Sequence, residues 1–183
     1  QQGSKVGFVT SGSGLNNDYI HRLIYAGIDF IGFSLSGATP ETHNSIRVNS
    51  DFDTLINSIK QFKYLSHKNN SFKAPRMHIV YLLLKENIDE LPTLIQIAQE
   101  IGIDEIIALN IIQISSRAQD DEKIFASDDE ARYNKLINEA VKKARQWNIN
   151  LVLPNIIPDE VSICGENPLK NLYISVEGEV SPC

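Results

Sequence analysis

The sequence is poor in cysteine, methionine and tryptophan. Among 183 residues there are two cysteines, one methionine and one tryptophan. With Cys164 and Cys183 as its whole supply, the chain is not a disulfide-stapled secreted scaffold. No apolar run approaches the ~18 residues that a membrane-crossing helix requires, so no membrane partner is expected. No charged-then-apolar leader marks the chain for export, which gives a cytoplasmic location as the expectation. Basic runs are also missing. Seventeen Lys and Arg stand against 23 Asp and Glu, a net charge of −6, so the footprint of a nucleic-acid binder is absent. The Gly12-x-Gly14 loop lacks the third glycine of a dinucleotide fingerprint and the lysine of a P-loop.

The ends carry information of the same kind. The only methionine is Met77, and the last residues are Ser181-Pro182-Cys183 without a polar tail. Both ends read as cuts through a longer protein.

What is present alternates. Short apolar, β-rich runs at Val6–Thr10, Asp29–Ser34, Met77–Leu84, Glu105–Ile112 and Asn150–Leu153 read as strands. Helical periodicity fills the gaps: Ile20, Leu23 and Ile24 before Gly27; Phe52, Leu55, Ile56, Ile59 and Phe62; Leu91, Leu94, Ile95 and Ala98 before Gly102. Ser127 with Glu130 forms a capping box for a helix reaching about Trp147. Residues 66–75 and 114–126 read as surface loops. Continuous apolar strands separated by single helices imply a parallel sheet covered by helices, wound as a barrel or a doubly wound sheet. From Leu172 to Val180 the pattern becomes a tight hairpin around Glu177-Gly178. The expected division is 1–155 for the barrel and 156–183 for a small module.

Ligands of parallel α/β folds sit at the C-terminal ends of the strands. Here those ends are polar: Thr10-Ser-Gly-Ser-Gly14, Ser34-Leu-Ser-Gly37, Lys85-Glu-Asn87, and Asn110 with Gln113. Ser34 and Ser36, two apart, share a face on a continuing strand. The fork of Arg47 suits a carboxylate. His43 reads as a loop-capping residue. Cys164 and Cys183 fit three readings: a disulfide, unrelated thiols, or two ligands of a metal.

These residues resemble a family. Phe8-Val-Thr-Ser-Gly12 is similar to the T-N-G strand of radical S-adenosylmethionine (SAM) enzymes, with Ser11 in place of Asn. Ile31-Gly-Phe-Ser-Leu-Ser-Gly37, followed by His43 and Ile46-Arg47, resembles their S-L-D-G … H … I-R segment, with Ser36 where Asp is common. Cys164, thirteen residues, Gly178, four residues and Cys183 resemble the opening cysteine motif of the SPASM extension. The resemblance implies a partial (β/α) barrel of the radical SAM type: the last four βα units, an extra strand, and the start of a small Fe–S module. It implies 4Fe–4S clusters and SAM as cofactors, and a 5′-deoxyadenosyl radical that abstracts hydrogen from a substrate. By position, Thr10, Ser34, Ser36 and Arg47 would bind SAM, with the strand near Ile112 and Gln113 against the adenine. Cys164 and Cys183 would ligate an auxiliary cluster. The implied partners are a peptide, protein or small-molecule cofactor precursor as substrate, and a flavodoxin- or ferredoxin-type reductant. Two departures stand out: no Cys-x3-Cys-x2-Cys triplet and no Gly-Gly-Glu strand occur in the chain. Without the triplet this segment alone is expected to be inactive. The alternatives are a (β/α) barrel lyase or aldolase with Lys85 as nucleophile, and a non-catalytic scaffold of the same fold.

Overall fold

The computed structural model describes residues 3–68, 73–111, 116–125, 129–157 and 171–181. Five strands, β1 (Gly7–Thr10), β2 (Phe30–Ser34), β3 (Arg76–Leu82), β4 (Glu105–Leu109) and β5 (Asn150–Val152), form one sheet. They lie in sequence order and every neighbouring pair is parallel. Between them run α1 (Asn17–Ala26), α2 (Pro40–Ile46), α3 (Phe52–Lys68), α4 (Leu91–Ile101), α5 (Arg117–Glu122) and α6 (Glu130–Gln146).

The two faces of the sheet differ. Ile31, Phe33, Ile79, Tyr81, Ile106 and Ala108 are buried beneath the helices, and the Phe33 ring meets Phe62 of α3 edge-on at 6.2 Å. Ile20, Leu55, Ile59, Leu94, Ile95 and Ala140 supply the helical side of this single core. Each fully buried Ile or Leu among them contributes roughly 1.5–3 kcal/mol. The opposite face carries Val9, Leu109 and Val152, which are 51%, 37% and 43% exposed. A Cβ on Gly32 would lie 2.6 Å from His78 Nε2 and 3.0 Å from Val9 Cγ2, so these three positions share the open face. One-sided helix cover is the geometry of a barrel wall, whose inner face looks into a lumen, and not of a doubly wound sheet.

Helix ends follow local chemistry. Asn16 caps α1 through Tyr19 N–H, and Pro92 occupies the first turn of α4. Gly102 ends α4 at φ 69°, a left-handed conformation that a side chain would strain. Two helices were not expected. Thr39 caps α2 with Pro40 in its first turn, a helix start in the stretch where His43 was expected to cap a loop. Ser116 likewise caps α5 within the expected loop 114–126. Helix α3 runs to Lys68, beyond the expected start of a loop at residue 66. Ser127 of the expected capping box lies outside the described residues. No helix among the described residues is long and apolar enough to cross a membrane.

A second, two-stranded antiparallel sheet pairs β6 (Tyr173–Ile174) with β7 (Val180–Ser181). Gly178 N–H closes its turn onto Ser175 O at 3.0 Å. This is the hairpin expected from the sequence. The cysteines that flank it, Cys164 and Cys183, lie outside the described residues.

Candidate functional site

Register decides which strand-end residues share a face. Thr10 stands beside Phe33 in the β1–β2 ladder, so its side chain belongs to the helix-covered face. There Thr10 Oγ1 accepts a hydrogen bond from Gly12 N–H at 3.1 Å and shapes the Gly12 loop. Its neighbour Ser11 continues the open face from Val9. Ser34 and Ser36 continue that face from Gly32, and both are buried.

Ser36 is held from several directions. Its N–H donates to His43 Nδ1 at 3.1 Å. Its carbonyl accepts from Asn87 Nδ2 at 3.0 Å. Its hydroxyl accepts from Arg47 Nε at 2.9 Å. His43, fully buried, pairs through Nε2 with Ser50 Oγ at 2.9 Å. With Nδ1 accepting from a backbone amide, the ring is the neutral Nε2–H tautomer. Burial, and then the Arg47 charge, lower the His43 pKa, with Asp51 opposing them. The ring is thereby kept in the state this bond requires. His43 thus does the structural work expected of it. Arg47 ends α2, and burial lowers its pKa as well. A guanidinium remains a cation in spite of this.

Asn87 belongs to the polar stretch expected at the end of the third strand, but it was not among the residues expected to bind SAM. It is fully buried. Its amide donates to Ser36 O and to Leu82 O at 2.8 Å, and its Oδ1 accepts from Leu84 N–H at 2.9 Å. Tyr81 OH donates to the Asn87 carbonyl at 3.0 Å. Burial, and then Glu90, push the Tyr81 phenol pKa far up, so it remains a donor. Glu90 adds a second clamp: it accepts from Ala38 N–H at 2.5 Å, Thr39 Oγ1 at 3.1 Å and Thr42 Oγ1 at 2.6 Å. The turn after β3 therefore fixes the loop after β2. Its place at a strand end was legible in the sequence; its burial and its bonds to the loop after β2 were not.

Two clefts open at this end of the sheet and share Ile46 and Leu82. The first, about 380 Å³, is lined by Ser11, Ser36, Arg47 and Ser50, with Val48 and Leu82 as apolar wall. The Nη atoms of Arg47 make no hydrogen bond among the described residues, so the end of the fork remains available. The arrangement suits a carboxylate beside hydroxyl-bearing groups. The second, about 470 Å³, is mostly apolar: Ile46, Leu82, Leu84, Ile111 and Ala118, with Gln119 and Glu122. Lys85 lines neither cleft and is exposed. Ile112 and Gln113 lie outside the described residues. Among the described residues no three His, Cys, Asp or Glu side chains gather to hold a metal.

No family model matches the chain. The protein from Pyrococcus furiosus named tungsten-containing aldehyde ferredoxin oxidoreductase cofactor-modifying protein is 22% identical over 184 aligned positions, covering all of this chain and 50% of its own length. SuiB of Streptococcus suis, in a crystal structure with SAM bound, superposes with a TM-score of 0.69 at 15% identity over 98% of this chain. Its complex with the precursor peptide SuiA superposes at 0.65. The fold is that of a partial radical SAM barrel. The radical SAM resemblance and the fold drawn from the sequence are therefore borne out. The chain spans 50% of the P. furiosus protein and 42% of SuiB in its SAM complex.

Proposed function

We propose that this chain is the SAM-holding half of a radical SAM oxidoreductase, with Arg47 receiving the methionyl carboxylate. The observation that carries this reading is the Arg47 Nε–Ser36 Oγ bond of 2.9 Å at the rim of the polar cleft. It holds a guanidinium at the strand ends with its Nη side turned to other uses. Ser36 and Ser34, on the lumen face, offer hydroxyls to the ribose or the amine. Thr10 contributes indirectly, by setting the Gly12 loop beside them. The residues present fit the group: one cation, several hydroxyls, and an apolar wall of Leu82 and Val48. Bound beside a reduced 4Fe–4S cluster, SAM supplies a 5′-deoxyadenosyl radical for hydrogen abstraction.

The chain's own residues bind, orient and exclude water. In this reading Cys164 and Cys183 ligate an auxiliary cluster of a SPASM-type module over 156–183. Residues 1–155 form the barrel part. A flavodoxin- or ferredoxin-type protein supplies the electron. SuiB is seen with a precursor peptide and the P. furiosus relative is named for modifying a cofactor. The substrate class proposed here is accordingly a peptide, with a cofactor precursor as the second choice.

Equilibrium dialysis of radiolabelled SAM against the chain tests the assignment. A charge-assisted hydrogen bond contributes about 1.5–3 kcal/mol, so Arg47→Ala weakens binding roughly ten- to a hundredfold. Arg47→Lys restores part of the loss, because it keeps the charge without the fork. Equal affinity in the wild type and Arg47→Ala, or no SAM binding at all, rejects the reading.

A further inference from the structure

The second cleft has a feature that cofactor binding leaves unexplained. Its walls are apolar, yet Glu122 lines it, and Glu122 Oε2 is buried with no hydrogen-bond partner among the described residues. Asn110 Oδ1, just beyond β4, is a second buried acceptor in the same condition. Its amide is already committed to Asn155 O at 2.7 Å. Both orphans are acceptors, but only Glu122 lines the cleft.

The position of Glu122 is firmly set. Its backbone carbonyl accepts from Lys85 N–H at 2.9 Å, and Lys123 bridges to Leu84 next to it. Ile124 is fully buried directly behind. Helix α5 is thus strapped back over the end of β3. Lys123, next in the chain, pairs with Asp120 at 2.5 Å, and Arg47 Nε donates to Ser36 in the other cleft. The terminal torsion of a glutamate is broad, so a small rotation presents the carboxylate to the cleft. Glu122 is half-buried, and its Oε2, shielded from water without a donor, is left for a donor or a cation to meet.

We propose that Glu122 is a specificity-determining residue which receives a cationic nitrogen, an ammonium or guanidinium, of the substrate. The apolar walls take that group's aliphatic stem. The mouth is then divided by charge: Arg47 faces the anionic end of the cofactor, and Glu122 faces a cationic group of the substrate. This rests on the reading given under Proposed function for where the cofactor lies, but the binding it asserts can be measured without the cofactor.

The probe is n-pentylammonium, compared with the neutral 1-pentanol, titrated into the ¹⁵N-labelled chain and followed by amide shifts of Leu84, Ile111 and Glu122. The wild type is expected to prefer the ammonium at least tenfold. Glu122→Gln abolishes the preference. Asp121→Asn, the same change of charge on the exposed neighbour, leaves it intact. S-adenosylhomocysteine affinity is unchanged in Glu122→Gln. Equal binding of the two probes, no saturable binding of the ammonium, or a preference that survives Glu122→Gln overturns the proposal. A loss of S-adenosylhomocysteine affinity in Glu122→Gln also overturns it, by assigning the carboxylate to the cofactor. If the wild type binds no S-adenosylhomocysteine yet prefers the ammonium through Glu122, the cofactor reading fails and this one stands.

Discussion

Replacing Asn87 tests whether the turn after β3 organises the mouth. Asn87→Leu keeps the branching at Cγ and removes every polar contact of the side chain. Leu84 N–H is left without Asn87 Oδ1, and the carbonyls of Ser36 and Leu82 each lose an N–H donor, at a position with no solvent exposure. An orphaned buried donor costs roughly 1–3 kcal/mol and each lost acceptor contact about 0.5–1.5, so the sum is about 2–6 kcal/mol. For a chain of this size that lowers Tm by on the order of 10 °C. Asn87→Asp separates hydrogen bonding from packing. Its Oδ can still accept from Leu84 N–H, but the other oxygen faces two carbonyls. Burial and those carbonyls raise the folded-state pKa of the new carboxyl above the ~3.9 of the unfolded chain. The fold therefore holds a proton that the unfolded chain releases. Asn87→Asp gains stability relative to Asn87→Leu as pH falls from about 7 towards 4. Both variants keep His43, so its titration cancels in that difference. Urea unfolding followed by circular dichroism at several pH values is the assay. A cost for Asn87→Leu below about 1 kcal/mol, or parallel pH profiles for the two variants, would refute the reasoning.

Two further outcomes follow from the same geometry. The His43 pKa is lowered in the fold by burial and by Arg47, so the unfolded chain takes up its proton first. The stability this residue contributes is whole above about pH 6.5 and falls as pH drops through that value. Urea midpoints measured from pH 8 to 5 should show the decline, and His43→Asn should make it shallower, His78, whose pKa burial also lowers, supplying the rest; an unchanged slope in the variant contradicts the assignment. Gly37→Ala would set a Cβ 2.4 Å from His43 N and 2.8 Å from Thr42 Cβ. Helix α2 must then shift. A cost of roughly 1–3 kcal/mol and weaker SAM retention in dialysis are expected, and unchanged values in both would show that α2 tolerates the added methyl.

How much of this was legible in the sequence depended on how far apart the partners lie. Strands announced themselves because barrel walls are apolar on both faces, as Ile79 and Tyr81 on one side of β3 and Val80 and Leu82 on the other illustrate. Stops such as Gly27 and Gly102 were legible because a helix end is decided within one turn. The caps of α2 and α5 were equally local, at Thr39 and Ser116, and were passed over because polar residues beside proline or acidic runs also describe loops.

The face of Thr10 was a different matter. Phe8 and Val9 are both apolar, so alternation alone cannot say which of them meets the helices; the Thr10–Phe33 register does. That choice moves Thr10 away from the lumen and brings Ser11 to the cleft. The contacts that build the mouth span still longer separations. Arg47 reaches Ser36 across 11 positions, Asn87 reaches it across 51, and Glu90 reaches Ala38 across 52. No periodicity carries such pairings. Strand-end chemistry drew attention to Ser36 and Arg47 together, because they belong to one βα unit. The Glu122 side became visible only once α5 was seen folded back on β3, since a glutamate in an acidic surface run and a glutamate lining an apolar cleft are spelled the same way.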